Sequence, residues 1–158
     1  MLAPGKRPLS SATPTIVLQD DWVYLVVGAS GGTRIITATL QAIVDIADFN
    51  LGALAAVETP RIHHQLYPNT LQIEASFPSA LQTGLRNIGH VVFFFFLLLF
   101  PPLFVVVIVI LILPNPNLQI DLLAPGVTYS AVQLVKNATD GFLYGASDPR
   151  KQGQASAY

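Results

Sequence analysis

The chain has 158 residues, of which 52% are hydrophobic and only 11% charged, against about 25% charged in an average soluble domain. Eight basic and nine acidic side chains give a net charge of −1, so the composition does not favour nucleic acid as a partner. The sequence has no cysteine, which excludes a disulfide framework, thiolate catalysis and cysteine-ligated zinc. The length fits about one domain with a core of its own.

The first third of the chain predicts a β-hairpin that leads into a glycine-rich turn and a helix. Residues 15–18 and 22–27 are β-branched and aromatic runs on either side of Gln19-Asp20-Asp21, a pattern typical of paired strands. Residues 28–32 (GASGG) end the second strand, and apolar residues at helical spacing predict a helix over about 33–48. Few charges lie opposite its apolar face, so we expect both sides to be covered. The residues predicted to face the core are Ile36, Leu40, Ile43, Val44 and Ala47.

Shorter elements follow along the rest of the chain. We predict a helix over 54–58, an irregular or edge-strand segment over 60–69, a strand over 71–74, a helix from Pro78 to Gly89, and strands over 131–136 and 142–146. Ser76 or Ser79 is the expected N-cap of the helix after Pro78. Asp140-Gly141 is a strong hairpin signal between the last two strands. The order indicates a mixed α/β fold with hairpins, not a doubly wound parallel sheet.

One segment departs from the rest in composition. Residues 91–113 are apolar apart from Pro101-Pro102; their length could span a bilayer, but the two prolines near the middle break a helix. The codons of Phe, Leu, Val and Ile share U at the second position, and FFFFLLLFPPLF can be written in pyrimidines alone, as in the tract before a splice acceptor. We interpret residues 91–130 as an atypical apolar insertion. It is either translated intron, over roughly 93–129, or a disordered segment. Transcript reads that run continuously through these codons in most copies would contradict the interpretation as translated intron.

The amino terminus does not have the pattern of a secretory signal. The segment MLAPGKRPLSSATPTIV has no apolar stretch of 7–15 residues after its charges. A turn-rich segment runs straight into a strand instead, so we expect the chain to be a fragment of a longer protein.

The strongest local signal for chemistry is the glycine-rich turn between strand and helix. Glycines let the backbone approach a ligand, and the free N–H groups at a helix start favour an anion or a developing oxyanion. The same residues match G-x-S-x-G, the nucleophile elbow of α/β-hydrolases, with Ser30 as nucleophile. That site also needs an acid and then a histidine at later strand ends, and His63, His64 and His90 come too early for it. A plain turn without a ligand is the remaining alternative.

Four further groups of polar residues have both a functional and a structural interpretation. Ser10-Ser11, held between two prolines, could donate to a carboxylate, although such pairs are more often solvated turn residues. His63-His64 point to opposite sides of an extended segment and lack the spacing of metal ligands, which favours a structural role. Asp148-Pro149-Arg150 is typical of an ion-paired turn. Asn137-Ala138-Thr139 is a glycosylation sequon, meaningful only in a secreted chain.

Taken together in their order, four segments resemble one family. They are PGKRPLSSATPTIV (4–17), VVGASGGTRIITATLQ (26–41), PRIHHQLYPN (60–69) and YGASDPRKQGQASAY (144–158). Over 1–90 and 131–158 the chain resembles the C-terminal part of the small subunit of γ-glutamyltranspeptidase, also called glutathione hydrolase. The resemblance implies an N-terminal-nucleophile hydrolase with an αββα sandwich, incomplete in this chain.

The resemblance also implies a reaction and the residues that serve it. Family members cut their own precursor to expose a threonine, which attacks the γ-glutamyl amide of glutathione or another γ-glutamyl compound; water or an amino acid then resolves the acyl-enzyme. Ser10 and Ser11 match the serines that hold the α-carboxylate of the γ-glutamyl group. Gly31 and Gly32 match the glycines whose amides form the oxyanion hole. In this interpretation Ser30 belongs to the scaffold and is not the nucleophile.

Two parts of the family's machinery lie outside these matches. The nucleophilic threonine lies upstream of the matched serines, and neither Thr13 nor Thr15 can replace it, since both follow that motif and lack a free amine. The arginine that pairs with the substrate carboxylate comes from the large subunit of the same precursor, the expected partner. We therefore expect no turnover by the isolated chain. We also expect no cofactor, no metal and no nucleic-acid partner. The parent enzyme is expected to be extracellular or in the plasma membrane or secretory pathway.

Two alternatives from other classes remain open at this point. The first is a small serine hydrolase that uses Ser30. The second is a non-catalytic, membrane-anchored protein in which 91–113 is inserted in the bilayer.

Overall fold

A computed structural model describes residues 3–93, 119–122 and 130–155. The chain divides into two units, 1–63 with 126–158 and 64–125. The elements are β1 Thr15–Gln19, β2 Trp22–Ser30, a 3₁₀ turn Gly32–Arg34, α1 Ile35–Ala47, α2 Ala53–Glu58, β3 Ile62–His63, β4 Thr70–Ile73, α3 Ser79–Asn87, β5 Val91–Phe93, β6 Gln119–Leu122, β7 Ala131–Asn137, β8 Leu143–Ser147 and a 3₁₀ turn Pro149–Lys151.

The first unit contains an antiparallel sheet in the order β1-β2-β7-β8. Both predicted hairpins are confirmed. Asp20 and Asp21 connect β1 to β2 with φ of 50° and 66°, the positive values that a tight two-residue hairpin loop requires. Gly141, with φ of 84°, turns the chain between β7 and β8, where the Ala138 N–H donates to the Phe142 carbonyl at 3.0 Å.

Helices α1 and α2 pack on one face of this sheet. Alternate residues of each strand point to the same face, so Leu25 and Val27 of β2 lie beside Leu134 of β7 in the core. The other buried members of this core are Ala38, Ala42, Ile46, Ala53, Ala56, Val57, Val132 and Ala146. Removing these side chains from water is the main stabilising contribution in this unit.

The predicted core face of α1 is wrong by about a third of a turn, although Ile43, one of the predicted residues, packs partly buried against the core. The buried residues of the helix are Ala38, Thr39, Ala42 and Ile46. Ile36 and Leu40, predicted to face the core, are 53% and 56% exposed. The reason is steric, because the small side chains of Ala38 and Ala42 let the helix backbone approach the sheet closely while the larger residues point elsewhere. Periodicity gives the width of an apolar stripe, and here the stripe extends beyond the face that the described sheet covers.

In the second unit, β6 pairs in parallel with both β4 and β5. Helix α3 follows β4, and the predicted caps are wrong. Pro78 occupies the N-cap position, which has no side-chain hydrogen bond, and its carbonyl accepts from the Leu81 N–H at 3.0 Å. The fixed φ of proline already orients the chain for a helix start, and Ser79 is the first residue of the helix itself.

The predicted insertion over 91–130 is only partly described. Its residues 91–93 form β5 and residues 119–122 form β6, while 94–118 and 123–129 lie outside the described residues. The interpretation as translated intron stays a prediction. In the described part of the chain, no helix has the length and hydropathy that a membrane span needs.

Candidate active site

Three segments singled out by the sequence extend from one end of the first sheet. Antiparallel pairing brings the starts of β1 and β7 beside the ends of β2 and β8. The facing pairs near this end are Thr15–Val27, Ser30–Ala131 and Gln133–Ser147. Three segments that are far apart in the sequence therefore continue beyond the same end of the sheet: residues 10–14, 31–34 and 148–151.

The glycine turn between β2 and α1 has the backbone geometry that its sequence predicts. Gly31 and Gly32 have φ of 137° and 61°, values that favour glycine over other residues. The Gly31 carbonyl accepts from the Arg34 N–H at 3.3 Å and so closes the first helical turn. Among the described residues, neither the Gly31 nor the Gly32 N–H donates to a backbone carbonyl in a turn or loop. The two N–H groups thus lie at a helix start, a position that favours an acceptor atom.

Ser10 and Ser11 lie on the segment that leads into β1. Ser10 is exposed, and its Oγ accepts a hydrogen bond from the Ala12 N–H at 3.0 Å. Ser11 is half-buried, and its carbonyl accepts from the Thr13 hydroxyl at 2.9 Å. The segment is therefore held by local turns, which leaves the serine hydroxyls at the sheet end. A role of both in binding a carboxylate stays a prediction.

Ser30 ends β2 and is exposed. Its Oγ accepts a hydrogen bond from the Lys151 Nζ at 2.9 Å. Within the described residues no histidine ring bonds to this hydroxyl. A Ser-His-acid triad of the nucleophile-elbow type is therefore not assembled around Ser30 in that part of the chain.

A buried ion pair joins two of the sequence motifs, and this pair was missed in the sequence. Arg61 Nη2 lies 2.6 Å from Asp148 Oδ2, and the two side chains are 6% and 0% exposed. Arg61 also donates to the Val57 carbonyl at 2.6 Å and to the Ser130 carbonyl and hydroxyl at 3.2 Å. Asp148 Oδ2 further accepts from the Val132 N–H at 2.9 Å. Hydrogen bonds on every side compensate the burial of both charges.

Arg150 extends the same network, so the predicted ion-paired turn is confirmed in a more buried form. Its Nη1 lies 3.2 Å from Asp148 Oδ1, and its backbone N–H donates to that oxygen at 3.0 Å. The guanidinium also donates to the carbonyls of Val57, Glu58 and Thr59 at 2.6, 3.2 and 3.0 Å. These carbonyls lie at the C-terminal end of α2, where they lack partners within the helix.

The electrostatics of the network follow from these contacts. Burial by itself would raise the pKa of Asp148, but hydrogen bonds from Val132, Arg150 and Arg61, together with the Arg61 charge, lower that pKa below its ordinary value. Burial raises the pKa of Asp45 on α1, and the Arg61 charge partly offsets this effect. Arg61 thus favours the ionised form of both carboxyls.

The two histidines contact different partners. His63 is buried, and its Nδ1 lies 2.8 Å from the Thr37 hydroxyl at the start of α1. His64 Nε2 lies 3.3 Å from the Asn69 amide oxygen. Groups of three or more potential metal ligands are not found among the described residues. These contacts fit the structural role predicted for both rings.

The sequon residue Asn137 ends β7, and its amide donates to the Val23 carbonyl at 3.0 Å. This bond links β7 to the start of β2. Glycosylation of Asn137 stays an expectation that depends on compartment.

Gly153→Ala is expected to destabilise the turn that carries Asp148 and Arg150. A Cβ at Gly153 would lie 2.9 Å from the Asp148 carbonyl oxygen and in collision with the Ser147 hydroxyl. Forced shifts of this kind cost about 1–3 kcal/mol. Thermal unfolding of the chain measures the loss. Gly145→Ala is the matched control, because its Cβ would meet only the Ala155 Cβ at 4.0 Å; equal melting temperatures of the two variants would contradict the prediction.

Comparison with known proteins places this chain in a family. The family model described as Gamma-glutamyltranspeptidase matches residues 1–95. The chain is 37% identical over 157 residues to "Glutathione hydrolase proenzyme 1" of Schizosaccharomyces pombe and 33% identical over 156 residues to "Glutathione hydrolase proenzyme" of Escherichia coli. Both alignments cover 99% of this chain but only 20% and 22% of the relatives. The chain thus spans about a fifth of the curated relatives that it matches.

Solved structures agree with the sequence comparisons. The γ-glutamyltranspeptidase of Pseudomonas nitroreducens, in a complex with L-DON, superposes with a TM-score of 0.69 at 29% identity, covering 99% of this chain and 67% of that one. The T380A mutant of the Helicobacter pylori γ-glutamyltranspeptidase gives a TM-score of 0.67 at 33% identity, over 94% of this chain and 66% of that one. The predicted fold class, that of the N-terminal-nucleophile hydrolases, is confirmed. On its sequence and its fold, the chain belongs to the γ-glutamyltranspeptidase family.

Proposed function

We propose that this chain supplies the oxyanion hole and part of the substrate-binding site of an enzyme that cleaves γ-glutamyl bonds. The observation that carries the proposal is the Gly31-Gly32 turn at the start of α1, with positive φ at both residues, inside the segment that the family model matches. Glutathione and other γ-glutamyl compounds are the proposed substrates, with water or an amino acid as acceptor.

The proposed chemistry assigns the chain's own groups to charge stabilisation and binding. Attack on the γ-glutamyl carbonyl turns its oxygen into an oxyanion, and the Gly31 and Gly32 N–H groups donate to it. Collapse of this intermediate expels the amine and leaves an acyl-enzyme, which the acceptor resolves through a second oxyanion at the same place. The Ser10 and Ser11 hydroxyls would hold the α-carboxylate and fix the orientation of the γ-carbonyl.

The nucleophile in this proposal comes from outside the 158 residues. Thr13 and Thr15 lie within the chain, and their hydroxyls donate to the carbonyls of Ser11 and Thr13 at 2.9 and 3.2 Å. Neither has the free terminal amine that serves as base in an N-terminal-nucleophile hydrolase. We therefore expect the 158-residue chain to be inactive alone.

The first sheet has a second face that fits the proposed partner, the large subunit. Ile16, Val26 and Val135 form one row across β1, β2 and β7, on the face opposite α1 and α2. They are 64%, 42% and 39% exposed. A contiguous apolar row on a sheet marks a packing surface. We propose that a second sheet from the rest of the enzyme covers it, which completes the αββα sandwich.

A chimeric proenzyme tests the proposal. In it, this chain replaces the matching fifth of the Schizosaccharomyces pombe relative, and release of aniline from a γ-glutamyl-anilide is measured. We expect the chimera to mature into two subunits and to cleave the substrate, whereas the 158-residue chain alone does not. A chimera that folds and matures but does not cleave the substrate would contradict the proposed role of this chain.

One observation favours a second candidate, a small serine hydrolase that uses Ser30. Lys151 Nζ lies 2.9 Å from Ser30 Oγ, and serine–lysine pairs are one form of activated nucleophile. Against it, Lys151 is exposed, whereas lysines that act as bases are desolvated. Covalent labelling of the chain by a fluorophosphonate, abolished in Ser30→Ala, would support this candidate; an unlabelled chain would exclude it.

A further inference from the structure

One side-chain contact links the C-terminal motif to the glycine turn across 121 positions of sequence. The Lys151 ammonium donates to the Ser30 hydroxyl at 2.9 Å. Ser30 is the residue directly before Gly31, so the Ser30 carbonyl and the Gly31 N–H belong to the same planar peptide unit. Fixing Ser30 therefore limits how far the Gly31 N–H can turn.

Lys151 is held in place by the network around Asp148. It ends the 3₁₀ turn Pro149–Lys151, whose cap residue Asp148 is fully buried and accepts the Arg150 N–H. The neighbouring Arg150 side chain is 17% exposed and bonded to the end of α2. After Lys151, Gln152 adopts φ of 55°, and the Gly153 N–H returns to the Asp148 carbonyl at 3.3 Å. A rigid turn thus presents the lysine to the end of β2.

Ser30 is fixed on its backbone side as well. It lies opposite Ala131 in the β2–β7 pairing, and Ala131 is 3% exposed. The sheet holds the start of the Ser30–Gly31 peptide unit, and Lys151 holds the side chain above it. The residue that follows, Gly31, has φ of 137°, a conformation that its own sterics do not fix. An external tether is what such a flexible position needs for preorganisation.

We propose that Lys151 is a positioning residue that orients the Gly31 N–H for the oxyanion through its bond to Ser30. The proposal rests on the proposed function of the glycine turn. The Lys151 ammonium also places a positive charge beside Ser30, the residue next to the Gly31 donor, and this charge favours a developing negative charge on the oxyanion. Because the oxyanion forms only in the transition state, the effect should fall on kcat and leave KM nearly unchanged.

The test uses Lys151→Ala, Ser30→Ala and the double variant in the chimeric proenzyme. We expect Lys151→Ala to lower kcat about two- to tenfold, the range for one exposed hydrogen bond, and Lys151→Arg to restore most of it. The double variant should lose no more than the larger single loss, since both changes break the same link. Lys136→Ala is the control, a lysine of the same unit that donates to the Leu51 carbonyl at 3.4 Å; its kcat should not change.

Two results would overturn the proposal. Losses that multiply in the double variant would mean that Lys151 does not act through Ser30, and a rise in KM alone would mean that it contacts substrate instead. A second readout does not depend on activity: in NMR spectra of the 158-residue chain, Lys151→Ala should shift the Gly31 amide signal, and the same substitution made in a Ser30→Ala background should leave it unmoved. A Gly31 signal that does not respond to Lys151→Ala in the otherwise wild-type chain would reject the tether, whereas an inactive wild-type chimera with a shifted signal would reject only the proposed function.

Discussion

Gly31→Ala should lower the kcat of the chimeric proenzyme about 10²–10³-fold, the loss that follows removal of one oxyanion donor. Gly31 has φ of 137° and ψ of 26°, a conformation that alanine reaches only with strain. The backbone would relax toward negative φ, and the peptide unit that carries the Gly31 N–H would rotate with it. KM should change little, because the ground-state carbonyl depends less on this donor than the oxyanion does. Steady-state kinetics on a γ-glutamyl-anilide measure both constants.

A glycine outside the turn, Gly52, separates this effect from a general loss of fold. Within the turn, Gly32 has φ of 61°, and a Cβ there would meet nothing within 4 Å. Gly32→Ala therefore costs only the penalty of the left-handed region, and it should reduce kcat less than Gly31→Ala. Gly52 has φ of −68° and open space around it, so Gly52→Ala should retain kcat. A wild-type kcat in the Gly31→Ala chimera would contradict the assignment of the Gly31 N–H as an oxyanion donor.

Much of the first sheet was predictable because its signals are local. The β-hairpins depend on neighbouring residues: Asp20-Asp21 and Asp140-Gly141 are turn sequences, and apolar runs flank them. The core face of α1 was not predictable in the same way. The helix packs by Ala38 and Ala42, and only the position of the sheet explains why small residues face it while Leu40 is exposed. A periodicity of apolar residues does not distinguish small from large ones.

The candidate site also contains features that local sequence predicts and features that depend on tertiary structure. The Gly31-Gly32 turn could be predicted because strand, glycines and helix follow one another in the sequence. The ion pair of Arg61 with Asp148 joins residues 87 positions apart, and neither motif alone indicates its partner. Arg61 next to Pro60 has no local feature that predicts a buried charge, and the Lys151–Ser30 contact spans a still longer separation. Pairings of this kind follow from tertiary topology, so only the three-dimensional structure reveals them.

Asp148→Asn should lower the free energy of unfolding by about 3–5 kcal/mol, the usual cost of removing one partner of a buried ion pair. The asparagine would remove the carboxylate that pairs with the Arg61 guanidinium, which is 6% exposed at its side chain. Its NH2 group would also place a donor at one of the two oxygen positions, facing either the Val132 or the Arg150 N–H that the carboxylate accepted. Urea unfolding at pH 7 measures the loss. Asp48→Asn, an exposed residue at the end of α1, should change stability by less than about 0.5 kcal/mol.

The pH dependence of this difference tests its electrostatic origin. The folded-state pKa of Asp148 lies below its ordinary value of 3.8, so its stabilisation is complete above that value and is lost as the pH falls through the lower, folded pKa. The gap between wild type and Asp148→Asn should therefore be constant near neutrality and shrink below about pH 4. Burial raises the pKa of Asp45, so protonation of Asp45 increases stability as the pH falls, opposite to the effect of Asp148. Both proteins should therefore carry Asp45→Asn, which removes this second titration from the comparison. A gap that persists unchanged into acid would assign the cost to packing instead of charge.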